Sequence, residues 1–401
     1  MRILLCLVSD QHVPNLLSVH HFQPDWLVLI VSLAMQKKRT AEHFLDALKL
    51  GGLDYTSRCD IQPLEAEDSL DAVGRALRSA FGRHADADWI VNLSGGTKPM
   101  SIAAYEFFKA VGARLVYINV PRPNEILGLD GHAAERCTYR PSVKEFLAGY
   151  GFEFRKTDHD IHQAEERARR TWSCAREIAA TCPAKGILHF GDLGDPENKK
   201  QWDDARKKGL DARPHHWNAI PPNVSQAICR AFGLCEDNQK PCGRLNKYAV
   251  EFLTGGWLEV FLWGLLDKHK EALKIWDVHL GVQPGKIGVE TTSEFDVAFM
   301  RHYRLAVVEC KSGTQTHDPG ADALHKLEAV VRQFRALGVN SYLVTTSGSV
   351  LDKNGNLKDS VRNRAAVYGS RVIGQPGLRR LAENPDSVET VRELFFAPQE
   401  T

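Results

Sequence analysis

Two acidic residues and a lysine, Asp296, Glu309 and Lys311, stand in a stretch that otherwise forms two apolar segments, residues 294–300 and 305–311. Both segments are rich in β-branched and aromatic residues, which predicts two strands joined by a short turn. A symmetric turn places Asp296 opposite Glu309, and strand alternation puts Lys311 on the same face. Two carboxylates and an amine then share one face of an apolar hairpin, where charge is costly unless a metal or a partner compensates it.

The chemistry that suits this set is metal-dependent hydrolysis of a phosphodiester bond. Carboxylate oxygens of Asp296 and Glu309 are ligands for Mg²⁺ or Mn²⁺, which can activate water and stabilise charge on a phosphoryl oxygen. Lys311 can orient the water or offset charge in the transition state. Glu259, the one acid in the apolar run 257–266, can supply a further metal ligand or hold a metal-bound water. The alternatives are an ion-paired cluster without catalysis and, for Glu259, an exposed helix position.

A second candidate site is the loop that contains Gly95, Gly96, Thr97 and Lys98. Paired glycines let backbone amides approach a ligand closely, and the start of the helix that follows favours phosphate. Thr97 and Lys98 add a hydroxyl and an ammonium donor. The loop is neither GxGxxG nor a P-loop, so ordinary dinucleotide or ATP binding is not indicated. A tight strand-to-helix turn without a ligand is the alternative.

Residues 1 to about 140 alternate strands and helices, which predicts an α/β fold with an open, doubly wound, parallel sheet. Ligands of such sheets bind beyond the carboxyl ends of the strands, where the loops 9–15 and 94–101 lie. The predicted strands are residues 3–8, 26–31, 89–93 and 115–120, and the predicted helices are 41–50, 70–81 and 101–111.

The rest of the chain divides into a middle segment and a second α/β domain. The middle contains a strongly charged helix, residues 161–180, which reads as a solvated connector, and a Gly- and Pro-rich stretch, residues 192–222, which predicts irregular structure. We therefore expect a domain at 1–145, a helical linker and irregular insertion at 146–245, and a domain at 246–401. Besides the hairpin, the sequence predicts a Pro-Gly turn at 284–285 and strands at 275–282, 341–345 and 371–373. It also predicts helices at 224–232, 257–266, 321–337 and 359–368.

Composition narrows the class of protein. The chain has 401 residues, enough for two or three domains, and a formal net charge of +1, so a basic surface for nucleic acid has to be local. Nine cysteines, an odd number without a CxxC pair, indicate a reducing compartment and disfavour structural zinc at Cys229, Cys235 and Cys242. No stretch approaches the roughly 20 apolar residues that span a bilayer. We expect a cytoplasmic protein without a membrane partner.

Two family resemblances follow from these residues. Glu259, Asp296 and Glu309-Cys310-Lys311, in the order helix, strand, strand, resemble the PD-(D/E)xK restriction-endonuclease-like superfamily. The stretch 92–100, Asn-Leu-Ser-Gly-Gly-Thr-Lys-Pro-Met, resembles the CARF domain, the cyclic-oligoadenylate sensor of type III CRISPR systems. The pairing is similar to CRISPR ancillary effectors that cyclic tetra-adenylate activates.

The resemblance implies an N-terminal Rossmann-like CARF domain with a parallel sheet and a C-terminal restriction-endonuclease-like α/β domain with a mixed sheet. It also implies a homodimer whose paired CARF domains hold the ring-shaped activator, and cleavage of single-stranded DNA, RNA or both, with nicking of duplex DNA as a further activity, in antiviral defence. The positions that match the family's activator-binding residues are Ser9, Gln11, Asn15, Gly95, Gly96, Thr97, Lys98 and Met100.

Two other functions stay open on sequence grounds. One is a non-catalytic, nucleotide-responsive regulator that only holds DNA, and the other is a CARF domain that itself degrades the activator. Ring size and choice of metal are not fixed by the sequence. The candidate phosphate contacts, which are equally well explained as solvated helix faces, are Lys326, Arg332, Arg335, Arg362 and Arg364.

Overall fold

The structure is a computed structural model and describes residues 1–119, 122, 124–183, 186–290, 294–313, 328 and 339–397. The predicted helix 321–337, with Lys326, Arg332 and Arg335, lies outside the described residues, apart from position 328.

The N-terminal part is built on one seven-stranded sheet, in the order β3-β2-β1-β4-β5-β6-β7. The first five strands in that order are parallel and the last two pairings are antiparallel. Its strands are β1 (Arg2–Leu7), β2 (Trp26–Val31), β3 (Cys59–Pro63), β4 (Asp88–Asn92), β5 (Arg114–Ile118), β6 (Glu125–Gly128) and β7 (Glu135–Arg136). Its helices are α1 (Val13–Phe22), α2 (Leu33–Lys37), α3 (Thr40–Leu50), α4 (Leu70–Gly82) and α5 (Lys98–Ala110).

The predicted doubly wound sheet is confirmed. Alternate residues of β1 enter separate hydrophobic clusters on the two faces, with Leu4 and Cys6 in one and Ile3 and Leu5 in the other. Burial on both faces explains why β1 and β2 are apolar throughout and lack polar alternation.

The second part is built on a five-stranded mixed sheet, in the order β12-β14-β15-β16-β17. The strands from residue 152 onwards are β8 (Phe152–Phe154), β9 (Leu210–Ala212), β10 (Cys235–Asp237), β11 (Lys240–Leu245), β12 (Ile275–Val282), β13 (Pro284–Lys286), β14 (Phe295–Arg301), β15 (Arg304–Lys311), β16 (Asn340–Thr345) and β17 (Ser370–Ile373). The helices are α6 (Val143–Ala148), α7 (Asp158–Thr181), α8 (Pro196–Lys208), α9 (Pro222–Phe232), α10 (Lys247–Glu251), α11 (Trp257–Leu273), α12 (Asp359–Tyr368), α13 (Gln375–Glu383) and α14 (Val388–Val391).

The hairpin of β14 and β15 has the register that the sequence predicts. Val297 pairs with Val308, and the pairing runs on to Arg301 and Arg304. The two turn residues, His302 and Tyr303, both have positive φ, at 51° and 62°. Positive φ at both positions gives the turn whose twist matches that of the flanking strands.

Three sequence expectations are wrong, two in the middle segment and one at residues 284–285. Helix α7 is not a solvated connector, since one side is buried in the cluster that also holds α11, and the Trp172 Nε1–H donates to the Phe261 carbonyl at 3.1 Å. Residues 192–222 are not irregular throughout, because they contain α8 and β9. The predicted turn at 284–285 is the strand β13, which pairs with β8.

Contrary to the sequence expectation, residues 247–273 are long and apolar enough to cross a membrane by length and composition alone, but 67% of the apolar 18-residue window within them is buried inside the fold. The helix α11 is therefore a core helix of the second part.

The short helix α6 joins the two parts. Val143 and Phe146 pack in one cluster with Ala298 and Met300 of β14, whereas Ala148 belongs to a cluster of the N-terminal sheet. Asp277, at an irregularity in β12, accepts a hydrogen bond from the Val143 N–H at 2.5 Å. Helix α6 therefore contacts both the N-terminal part and the strand that carries Asp296.

We predict that Gly264→Ala destabilises the protein, because a Cβ on Gly264 of α11 would overlap the Trp172 ring of α7. Overpacking of this kind costs about 1–3 kcal/mol. Gly82→Ala is the matched control, since nothing lies within 4 Å of its added Cβ. Chemical denaturation measures both, and equal stability of the two variants would show that α7 does not pack on α11.

We predict that His279 contributes to the free energy of unfolding in a way that depends on pH. Burial lowers its pKa, but hydrogen bonds to Asp277 and Glu165 outweigh burial and raise the pKa to about 9. The folded pKa exceeds the unfolded value, so the stabilisation is complete below about pH 6.5 and is lost as the pH rises through about 9.

The free energy of unfolding of wild type minus that of His279→Gln should therefore fall, by on the order of 3 kcal/mol, between pH 6 and pH 9.5. His162→Gln, at an exposed ion pair of α7, is the control. A difference that does not change with pH contradicts the assignment.

Candidate functional sites

The hairpin brings Asp296, Glu309 and Lys311 together at the end of β15. The Asp296 Oδ2 accepts the Cys310 N–H at 2.6 Å, and the Lys311 ammonium forms an ion pair with Glu309. The side chains of Glu309 and Lys311 are 15% and 32% exposed, so both remain accessible to solvent. The backbone bond from Cys310 fixes the carboxylate of Asp296 across the two strands.

Glu259 lies in the first turn of α11 and faces the same charges. Burial, and then the negative charges of Asp296 and Glu294, raise the pKa of Glu259 to about 8. Burial, and then Glu309, raise the pKa of Asp296 to about 7. Burial lowers the pKa of Lys311, but its pKa is raised overall because the charges of Glu309 and Asp296 outweigh burial. The site therefore holds more buried negative charge than its lysine balances.

The residues fit a hard divalent cation by donor chemistry. Asp296 and Glu309 offer carboxylate oxygens, which Mg²⁺ and Mn²⁺ prefer, and a cation would relieve the repulsion that raises the pKa of Asp296. Among the described residues, no three His, Cys, Asp or Glu side chains already surround a metal position. In this structure the Glu309 carboxylate forms an ion pair with the Lys311 ammonium.

The chain is kinked at Gly255, in the segment 252–256 that leads from α10 into α11. Gly255 lies against Ser312, since a Cβ on Gly255 would be 3.0 Å from the Ser312 Oγ. The Gly-Gly pair at 255–256 was the sequence signal for this kink.

Glu294 was missed by the sequence reasoning. It forms an ion pair with Lys156 at 3.0 Å and raises the pKa of both Glu259 and Asp296. Its position two residues before Asp296, on the same side of the strand by alternation, was the available signal.

The two N-terminal loops meet at the carboxyl ends of β1 and β4. Gly95 packs on the Leu7 carbonyl so closely that a Cβ would overlap it, and that Cβ would be 3.4 Å from the Ser9 Oγ. Gly96 has a φ of 74°, which favours glycine. Thr97 caps α5, because its Oγ1 accepts the Met100 N–H at 3.5 Å and donates to the Glu67 carbonyl at 2.9 Å.

The predicted activator-binding residues divide by exposure. Asn15 and Met100 are buried, at 2% and 0% exposed, and shape the loops from inside. The Asn15 amide donates to the Leu7 carbonyl at 2.9 Å and accepts from Asn92 at 2.8 Å. Gln11 and Lys98 are exposed and Ser9 and Thr97 are partly exposed, so these four side chains are accessible to a ligand. The sequence reasoning assigned no role to the buried Asn92.

The comparisons with known proteins come from families and from solved structures. Residues 3–146 match the Card1 CARF domain, and residues 246–384 match the Card1-like endonuclease domain. No curated protein matches the sequence.

Three solved structures illustrate the similarity in fold. Can2 from Sulfobacillus thermosulfidooxidans, in complex with cyclic tetra-adenylate, is 19% identical with a TM-score of 0.66, covering 99% of this chain and 100% of that one. Protein VC1899 from Vibrio cholerae is 17% identical with a TM-score of 0.75, covering 96% of each chain. A type III CRISPR defence DNA nuclease activated by cyclic oligoadenylate is 18% identical with a TM-score of 0.50, covering 91% of this chain and 51% of that one.

At these identities the solved structures show the fold alone, and the two family matches establish the domains. The chain therefore consists of a Card1-type CARF domain, residues 3–146, and a Card1-like endonuclease domain, residues 246–384, with residues 147–245 between them.

Proposed function

We propose that the protein is a nuclease that a cyclic oligoadenylate activates and that depends on Mg²⁺ or Mn²⁺. The observation that carries the proposal is the buried acidic pair of Asp296 and Glu309, beside Lys311, within an endonuclease domain. The CARF domain on the same chain supports control by a cyclic oligoadenylate. Cyclic tetra-adenylate is the first ring to test, because the Can2 structure contains it.

Each residue of the site has a proposed role. Asp296 and Glu309 would hold the divalent cation, which supplies water activation and charge stabilisation when bound. Lys311 offsets negative charge on the phosphoryl group or orients the attacking water. Glu259, which lies near Asp296 and Glu309, would supply a further ligand for the cation or hold a metal-bound water.

The substrate that we propose is single-stranded nucleic acid. DNA is the first choice, since one of the similar structures is a DNA nuclease, and RNA and nicking of supercoiled plasmid are parallel arms of the assay. With a net charge of +1, binding has to be local to the nuclease domain and sensitive to salt. We place the protein in the cytoplasm as a homodimer, because a two-fold dimer of CARF domains matches a ring-shaped ligand.

The contacts of α6 provide a route from the activator to the hairpin. His12, in the loop 9–15, is buried, and its ring lies edge-on to Tyr150, with ring centroids 4.3 Å apart. Gly149 lies directly under the His12 ring, where a Cβ would overlap it. Phe146 lies 5.7 Å from His12 and packs in the cluster of β14. A ligand that moves the loop therefore moves α6, and α6 bears on the strand that carries Asp296.

We predict that Glu309→Gln and Asp296→Asn each lower the rate of activated cleavage by about 10²- to 10³-fold or more, because each removes a group that stabilises the transition state. The measurement is cleavage of a labelled single-stranded oligonucleotide with the activator and Mn²⁺. Glu251→Gln, at a surface ion pair of α10, should keep the wild-type rate. Full activity of Glu309→Gln would remove this active-site assignment.

We predict that Tyr150→Phe weakens the coupling between the two domains. The variant loses the Tyr150 hydroxyl, which accepts a hydrogen bond from the backbone N–H of His12. Stimulation of cleavage by the activator should fall by about 2- to 30-fold, the range for residues that carry coupling. Activator affinity, measured by calorimetry, should stay within a few-fold of wild type. Tyr105→Phe, on α5, is the control, and unchanged stimulation in Tyr150→Phe would refute this route.

A further inference from the structure

The helix α8 presents a basic face that the proposed catalytic site does not account for. At 100° per residue, the buried Ala205 marks the inner side of the helix, and the opposite side carries four cations and one acid, all exposed. These residues are Lys199, Lys200, Asp203, Arg206 and Lys207. None of the four cations forms an ion pair within the part of the chain that the structure describes.

The inner side of α8 is held firmly. Trp202 lies edge-on to Phe190, with ring centroids 5.2 Å apart. The Arg244 guanidinium of β11 donates to the Lys208 carbonyl at 2.8 Å, which fixes the C-terminal end of the helix. Asp195 caps the other end by accepting the N–H groups of Glu197 and Asn198. The basic face is therefore a fixed surface of a well-anchored helix.

The helix that carries the basic face packs on the endonuclease domain. Helix α8 packs on α10, and α10 leads through residues 252–256 to Glu259 in α11. Proteins that bind single strands follow the backbone with a positive groove over about 4–16 nucleotides, so a strand that is cut at the hairpin also contacts surfaces away from the cut.

We infer that the outer face of α8 binds the phosphate backbone of the single-stranded nucleic acid that the hairpin site cuts. The exposed cations Lys199, Lys200 and Lys207, with Arg206 over the Trp202 ring at 5.9 Å, outnumber Asp203 on this face and complement a chain of phosphates. The packing of α8 on α10, the first helix of the endonuclease domain, favours a nucleic acid over other anionic surfaces. This inference rests on the proposed nuclease function for the identity of the ligand. It assigns substrate binding to the segment between the two domains, outside the residues that match the endonuclease family.

The test compares the variant K199Q/K200Q/R206Q/K207Q with K208Q. Lys208 lies on the same helix but is paired with Asp204 at 2.9 Å, so it is a matched control whose charge is already compensated. Both sets are made in the Glu309→Gln background, and fluorescence anisotropy measures binding of a labelled single-stranded DNA between 50 and 200 mM salt. All the substituted side chains are exposed, and thermal melting checks that each variant folds as wild type does.

The expected result is a loss of affinity of at least tenfold at the lowest salt in the quadruple variant. The slope of log affinity against log salt should become smaller by about 0.7 for each lost phosphate contact. K208Q should bind as the parent does. With Glu309 restored, the quadruple variant should show a raised KM, a kcat within twofold of wild type and unchanged activator affinity.

One outcome overturns the inference, which is wild-type affinity and salt slope for single-stranded DNA in the quadruple variant. If the wild-type protein cleaves but the quadruple variant binds normally, the nuclease function stands and the inference fails. If wild type does not cleave but binding of DNA depends on α8, the surface stands and the nuclease function fails.

Discussion

The burial of two carboxylates on one face of an apolar hairpin is the constraint on which the rest of the site depends. Asp296 and Glu309 repel each other, and burial removes the water that would screen them. Two contacts compensate part of this charge. The Cys310 N–H donates a hydrogen bond to Asp296, and the Lys311 ammonium forms an ion pair with Glu309. These contacts leave the pKa of Asp296 raised to about 7, so the site accommodates further positive charge.

The same constraint explains the surroundings of the hairpin. The first ten residues of α11 are apolar except for Glu259, which lies next to Asp296 and Glu309. The helix α7 covers α11, and the segment that follows α7 completes the hydrophobic cluster of the endonuclease domain. On the opposite side, α6 is the packed contact between the sensor loops and β14. The five-stranded sheet thus packs on one side against the hydrophobic cluster that holds α7 and α11. On the other side it packs against α6, which also contacts the CARF domain.

Most of the framework could be predicted because its signals are local. The symmetric turn fixed the register of β14 and β15, and continuous apolar runs marked the buried parallel strands. Helix α8 escaped prediction because it has a single buried residue, Ala205, and owes its ends to the Asp195 cap and to Gly209. The charges of α7 concealed a buried stripe of small residues, such as Ala168 and Ala175.

The two candidate sites differ in the same respect, because the hairpin site depends on local signals and the loop site does not. Alternation in a strand was enough to bring Asp296, Glu309 and Lys311 together, because the strands are regular. Which loop residues face a ligand could not be predicted, since the burial of Asn15 depends on its hydrogen bonds to Leu7 and to Asn92, and Asn92 is 77 residues away in sequence. The metal and activator assignments remain predictions from the chemistry of the donors and from the domain families.

The most direct measurement is cleavage of a labelled single-stranded oligonucleotide by the wild-type protein, with cyclic tetra-adenylate and Mn²⁺ added separately and together. The account predicts product only when both are present, because the acidic pair needs the cation and the hairpin needs the signal from the CARF domain. Equal cleavage without the activator, or in the presence of excess EDTA, would contradict it.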